Sequence, residues 1–276
     1  MPVSRRAALK ALAAVLMAGP VLPGARAVPR KRLDRVGLQL YTVRGEMEKS
    51  VEATLERVAS IGYSEVEFAG YYERTPAQIA SVLEANGLTA PSAHLGLDVM
   101  RTGWEEALDD SARMGHRYVV VASLPPRERD SVDGYRRIAE EFNRAGEVAR
   151  AKGLTFAYHN HDFEFEPMSG TNGYDVLLEA CDPALVGMEL DLYWITHAGH
   201  DPIAYIRRMP GRFPLVHVKD RTRDGSMANV GAGTIDFPAI FAAAAGGIRH
   251  HFVEHDRPGD AFASVTASYQ YLASLR

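Results

Sequence analysis

The chain has 276 residues and a net charge of −4, from 31 lysines and arginines against 35 aspartates and glutamates. Its basic residues are scattered, so the electrostatic footprint of a nucleic-acid binder is missing and neither DNA nor RNA is an expected partner. The single cysteine, Cys181, excludes an internal disulfide; stability has to come from packing, and Cys181 reads as a small buried apolar residue.

The first 27 residues read as an address. Ser4-Arg5-Arg6 precedes a mostly apolar run from Ala7 to Leu22, interrupted by Lys10, and Ala25-Arg26-Ala27 has the small-x-small form of a signal-peptidase site. Gly19-Pro20 breaks the run before the roughly 20 apolar residues of a membrane span. The expectation is a cleavable signal over residues 1–27. Its paired arginines and Ala7-Ala8-Leu9-Lys10 resemble the twin-arginine type, which implies export to the periplasm and no stable membrane association afterwards. Residues 28–276 then have the size of one barrel domain.

Apolar or β-branched runs follow in order, each trailed by a stretch with helical spacing. They are VGLQLY (36–41), EVEFAG (65–70), APSAHL (90–95), YVVVAS (118–123), LTFAYHNH (154–161), VGMELDL (186–192), PLVHVKD (214–220) and HHFVEHD (250–256). Between them, Val51, Leu55, Val58 and Ile61 form one helical stripe, and a long helix from Tyr135 stops at Gly153. Eight β-then-α units at this length predict a single (β/α)8 TIM barrel with parallel strands. An open doubly wound sheet is less apt, because GLQLYTVRGE after the first strand contains no G-x-G-x-x-G turn.

In such a barrel, function collects at the C-terminal strand ends. Those ends carry Glu67, His94, His159 with His161, Glu189 with Asp191, His217 with Lys219, and Glu254 with Asp256. Strand side chains alternate, so each i, i+2 pair shares a face, and four successive strands bring imidazoles and carboxylates to one volume. One divalent ion, manganese, zinc, cobalt or iron, suits such donors. Gln39 and His94 are placed either to meet a ligand's polar groups or to satisfy the core, Glu67 to line the same mouth, and Trp194 with Tyr193 to wall a ligand or to pack the barrel rim. Glu189, Glu164 and Asp256 are expected to support the ligands from behind, with Glu189 orienting Asp191 or a metal-bound water. Gly231 and Gly233 are read as a turn rather than an anion cradle, and His255, which alternates away from Glu254, as structural.

The runs GLQLYTVR, AHLGLD, YHNHDFEF, GMELDLYWITHAG, HVKDR, GAGTIDF and VEHD together resemble the xylose isomerase-like barrel family, the superfamily of sugar isomerases and epimerases that also includes endonuclease IV. The resemblance implies a metal held by a glutamate on strand five, an aspartate on strand six, a histidine on strand seven and a glutamate on strand eight. The last three fall on Asp191, His217 and Glu254. The first falls on His159, so a histidine stands where the two-base epimerases have a glutamate. Glu254 is then the obvious proton-transfer base, with His161, Glu164 and Lys219 as candidates for a second.

The expected function is a metal-dependent isomerase or epimerase of an unphosphorylated sugar or keto-sugar. The loss of the strand-five glutamate keeps open a 3-keto-glycoside lyase or hydratase at the same site, and a non-catalytic sugar-binding barrel. The expected partner is a small carbohydrate; oligomeric state is not legible, and a homo-oligomer stays open. An apurinic endonuclease is opposed by export and by the acidic balance.

Overall fold

A computed structural model describes Leu33 and residues 35–275, so the export signal expected over residues 1–27 lies outside the described residues. Strands and their covering helices alternate as β1 (Gly37–Gln39), α1 (Val51–Ile61), β2 (Glu65–Phe68), α2 (Pro76–Ala85), β3 (Thr89–Leu95), α3 (Trp104–Arg113), β4 (Tyr118–Val121) and α4 (Val132–Ala151). They continue as β5 (Thr155–His159), α5 (Gly173–Ala180), β6 (Val186–Asp191), α6 (Pro202–Arg208), β7 (Leu215–Val218), α7 (Phe237–Ala243), β8 (His250–Val253) and α8 (Ala261–Ser274). Seven of the strands fall within the runs read from the sequence, and β3 starts one residue before its run, at Thr89. Consecutive strands pair in parallel all the way round, and Gly37 on β1 sits opposite both Glu65 on β2 and Phe252 on β8. The sheet is therefore closed, and the open doubly wound alternative does not apply.

Helix starts follow local chemistry. Ser50, Thr75, Ser131, Asn172, Asp201, Asp236 and Asp260 each accept a backbone N–H with the side chain as an N-cap. Ser131 starts α4 three residues before the expected Tyr135, because its Oγ takes the N–H of Gly134. Among the described residues, no helix is long and apolar enough to cross a membrane.

Alternation along the strands separates two cores. Leu38, Val66, Val119, Phe156, Met188, Val216 and Val253 face outward and pack with the helices. Inward residues form a separate apolar layer of Tyr118, Val120, Ala157, Leu215 and Phe252. Gly37 is required here, since a Cβ would stand 2.5 Å from the Phe252 ring. Beneath this layer, Glu65 is held by Arg35 at 3.1 Å and His250 at 2.8 Å. Above it, at the C-terminal ends, the inward positions turn polar: Gln39, Glu67, Ser92, His159, Glu189, Asp191 and His217 are all buried. A barrel core filled by side chains leaves chemistry only at that upper layer.

Candidate active site

The polar layer is organised around three imidazoles. His94, His159 and His217 lie with ring centroids 4.4 to 5.2 Å apart. Glu189 Oε2 sits among them, 2.7 Å from His94 Nε2, 3.2 Å from His217 Nε2 and 3.4 Å from His159 Nδ1. On the other side of His217, its Nδ1 is 2.8 Å from Glu254 Oε2 and 3.8 Å from Asp191 Oδ2. Asp191 Oδ2 is also 3.8 Å from His159 Nε2.

Two donor groups result, each spanning under 4.8 Å: His94, His159, Glu189 and His217; and Asp191, His217 and Glu254. His217 belongs to both. The residues expected to hold a metal thus converge, with His159 bridging the groups at the Asp191 carboxylate. His159 Nδ1, Glu189 Oε1 and Asp191 Oδ2 are buried without a hydrogen-bond partner, although Asp191 Oδ2 forms an ion pair with Lys219 at 3.0 Å. Buried polar atoms are rarely left so. Orphaned imidazole and carboxylate donors in one pocket fit a divalent ion.

Asp191 is aimed by its backbone surroundings. Its Oδ1 accepts the N–H groups of Tyr193 and Trp194, both at 2.9 Å, as the cap of the short helix Leu192–His197. Its own N–H donates to Asn160 Oδ1 at 3.0 Å. Asn160 lies out of phase between His159 and His161, so strand alternation gives it no place at the mouth, although its amide oxygen holds the Asp191 backbone.

Lys219 is buried, with Nζ 3.0 Å from Asp191, 2.7 Å from Glu254 and 2.8 Å from Asp256. Burial would lower its pKa, but these three carboxylates raise it above the ordinary lysine value, so it stays an ammonium and cannot serve as the second base. Burial would raise Glu254, yet Lys219 and His217 hold it well below the usual carboxylate range. Against burial, Glu67 and Glu189 lift His94 to about 10. His159 is driven well below 6.5 by burial and by charged His217. Burial and Lys219 bring His161 down to about 3, so it is neutral. Burial also lifts Asp191 to about 6 despite Lys219.

Above this floor opens a cavity of about 1020 Å³, lined in part by His94, His159, His161, Tyr193, Trp194, Lys219, Glu254 and Asp256. Several expectations shift. Gln39 and Glu67 do not line it: Gln39 Nε2 donates to Glu67 Oε2 at 2.8 Å while its Oε1 accepts the N–H of Tyr41. Glu67 is consumed by that bond, by Ser92 at 2.5 Å and by His217 Nε2 at 2.7 Å. Glu189 does not orient Asp191 but sits among the imidazoles. Glu164 is turned away from the cavity, accepting from the Tyr158 hydroxyl and from the His161 N–H at 2.8 Å, which fixes the loop after β5. His255 does line the cavity, because β8 ends at Val253 and strand alternation lapses there. Gly231, at φ 89°, turns the chain as expected, but the two glycines also cradle an anion of the chain itself: both N–H groups donate to Asp220 Oδ2, at 2.8 and 2.9 Å. Cys181 is buried, its thiol pushed up to about 12 by that burial.

A closed parallel barrel with a histidine–carboxylate pocket at its mouth defines a class of small-molecule enzymes. The family model for the xylose isomerase-like TIM barrel matches residues 55–253, and the chain belongs to that family. Inosose dehydratase of Clostridium beijerinckii is 23% identical over 232 residues, covering 70% of this chain and 77% of that one. A sugar phosphate isomerase/epimerase from Parabacteroides distasonis superposes with a TM-score of 0.77 at 27% identity, over 87% of this chain and 98% of that one. The zinc-bound IOLI protein shares the fold, with a TM-score of 0.68 at 15% identity over 87% and 98% of the two chains.

Proposed function

We propose a metal-dependent carbon–oxygen lyase, a dehydratase or β-eliminating enzyme acting on an unphosphorylated keto-sugar. The observation that carries this reading is the one-sided placement of the proton-handling carboxylates. Among the described residues lining the cavity, Glu254 and Asp256 both follow β8. The wall after β5 offers His159 and His161 instead, with Glu164 facing away. Epimerisation with bases on opposite faces lacks its second carboxylate, whereas elimination on one face needs a single one.

His159, Asp191, His217 and Glu254 would hold a divalent ion, which supplies polarisation of a carbonyl when bound. The chain's own residues supply the rest. The Glu254 carboxylate removes the proton next to the carbonyl and returns it to the departing oxygen on the same face. Lys219, 2.7 Å from Glu254, fixes that carboxylate and opposes the negative charge that develops on the substrate. His161 and Trp194, with rings 5.5 Å apart, bound the space beside it. That the substrate is unphosphorylated is part of this proposal and follows from the export expected of residues 1–27. The likeness to inosose dehydratase supports elimination; the likeness to the isomerase/epimerase supports the second reading, proton transfer without loss of the leaving group.

The test is NMR of the manganese- or zinc-loaded protein with a methyl 3-keto-glucoside in deuterated water. Elimination releases methanol and leaves an unsaturated ketone. An intact glycoside carrying solvent deuterium would establish the isomerase reading instead, and binding without turnover would establish a sugar-binding barrel.

A further inference from the structure

The cavity is divided by composition. The loops after β5 to β8 bring Lys219, Glu254, Asp256 and Arg257 to its wall, together with Trp194 and Met227, whereas the loops after β1 to β4 contribute Tyr41, Ala69, Leu95, Gly96, Ala122 and Ser123. Of the β1-to-β4 half, His94 and the Tyr41 phenol are the ionisable side chains among the described residues, and His94 points into the imidazole cluster on the floor. The reacting carbons of a keto-sugar belong against the charged half. A single sugar ring does not fill the remainder, since about 1020 Å³ lies at the upper end of the roughly 300–1,000 Å³ of pockets for drug-sized ligands.

Tyr41 gives the apolar half a surface. Among the described residues it is the large apolar side chain left exposed, at 42%, and it stands on the cavity wall. Its ring is not loose. The Arg44 guanidinium lies 4.0 Å from the ring centroid, and Arg44 Nη1 donates to the Tyr41 carbonyl at 2.7 Å. The Tyr41 N–H is fixed by Gln39, which ties the ring's backbone to the floor through Glu67. An exposed aromatic ring held in place at a cavity wall presents a stacking platform without the entropic cost of ordering it on binding.

We infer that the apolar half is a second subsite, which takes an aromatic aglycone on Tyr41, so that the substrate class is the aryl keto-glycoside. This rests on the lyase reading for its chemistry. The C–H bond beside the carbonyl breaks and its proton passes to Glu254; a carbon–carbon double bond forms; the bond from the anomeric carbon to the aglycone oxygen breaks; and that oxygen leaves with the proton returned by Glu254. No oxidant or reductant enters.

The experiment is calorimetric binding of phenyl and methyl β-glucosides, neither of which can eliminate without a keto group, to the manganese-loaded wild-type protein and to Tyr41→Ala. The phenyl glucoside is expected to bind about tenfold tighter to the wild type, the upper size of one aromatic contact, and to lose most of that preference in Tyr41→Ala. Equal affinities, a preference unchanged in the variant, or binding of neither glucoside would overturn the subsite. Methyl 3-keto-glucoside turnover, measured beside it, separates the two ideas. Turnover without phenyl preference sinks the subsite alone, and phenyl preference without turnover sinks the lyase reading alone.

Discussion

Replacing Glu164 by glutamine should flatten the pH dependence of stability. The side chain is fully buried, accepts from the Tyr158 hydroxyl and the His161 N–H, and is pushed by burial from 4.5 to about 7. A carboxyl whose folded pKa is raised binds its proton more tightly in the folded state. Its stabilising contribution is complete below pH 4.5, declines as the pH rises towards about 7, and is gone above that. At 1.36 kcal/mol per pH unit, the interval corresponds to about 3 kcal/mol. Urea denaturation of the wild type and Glu164→Gln between pH 4.5 and 8 measures the difference directly, and contributions from other groups, Asp191 included, cancel between the two proteins. The wild type should lose about 3 kcal/mol relative to the variant across that window. Parallel stability profiles would refute the reasoning, as they would mean that Glu164 ionises inside the fold without cost.

Removing the ammonium in Lys219→Met leaves Asp191, Glu254 and Asp256 facing one another, so the metal-free variant should be less stable by about 3–5 kcal/mol. Added zinc or manganese should restore much of that loss, and an unchanged melting temperature in the metal-free variant would contradict the ion-pair account. Elemental analysis should find one divalent ion per chain in the wild type and far less in His159→Ala and Glu254→Gln; retention in His159→Ala would remove that histidine from the ligand set. Asp220 accepts the N–H groups of Arg221, Gly231, Gly233 and Ile235. Asp220→Ala should therefore cost about 2 kcal/mol or more through donors left unpaired, read as a lowered melting temperature.

The barrel was legible because its signals are local. Eight apolar runs, each with a period-2 inward set, and the helical stripes between them fixed the β-then-α order, and at this length such alternation closes into a ring. That Asp191, His217 and Glu254 would come together was implied by the family resemblance, and their strand-end positions agree with the cluster they form. Alternation carried a residue or two past the strand ends, to His161, Lys219, Glu254 and Asp256, but it did not supply contacts across the barrel. His255 reached the cavity once β8 had ended, and Lys219 found its three carboxylates from two other strand ends and a loop. Gln39 and Glu67 were legible as mouth residues, yet whether they meet a substrate or each other depends on a 2.8 Å contact between residues 28 positions apart. Glu164 followed the same rule, its carboxyl turned by Tyr158 and a backbone N–H away from the site it neighbours in sequence. The sequence by itself determined which chemical groups the barrel mouth would hold. Only the tertiary structure decided which of them are spent on one another and which face the cavity, because hydrogen bonds and ion pairs between buried groups are settled by distances that no local pattern encodes.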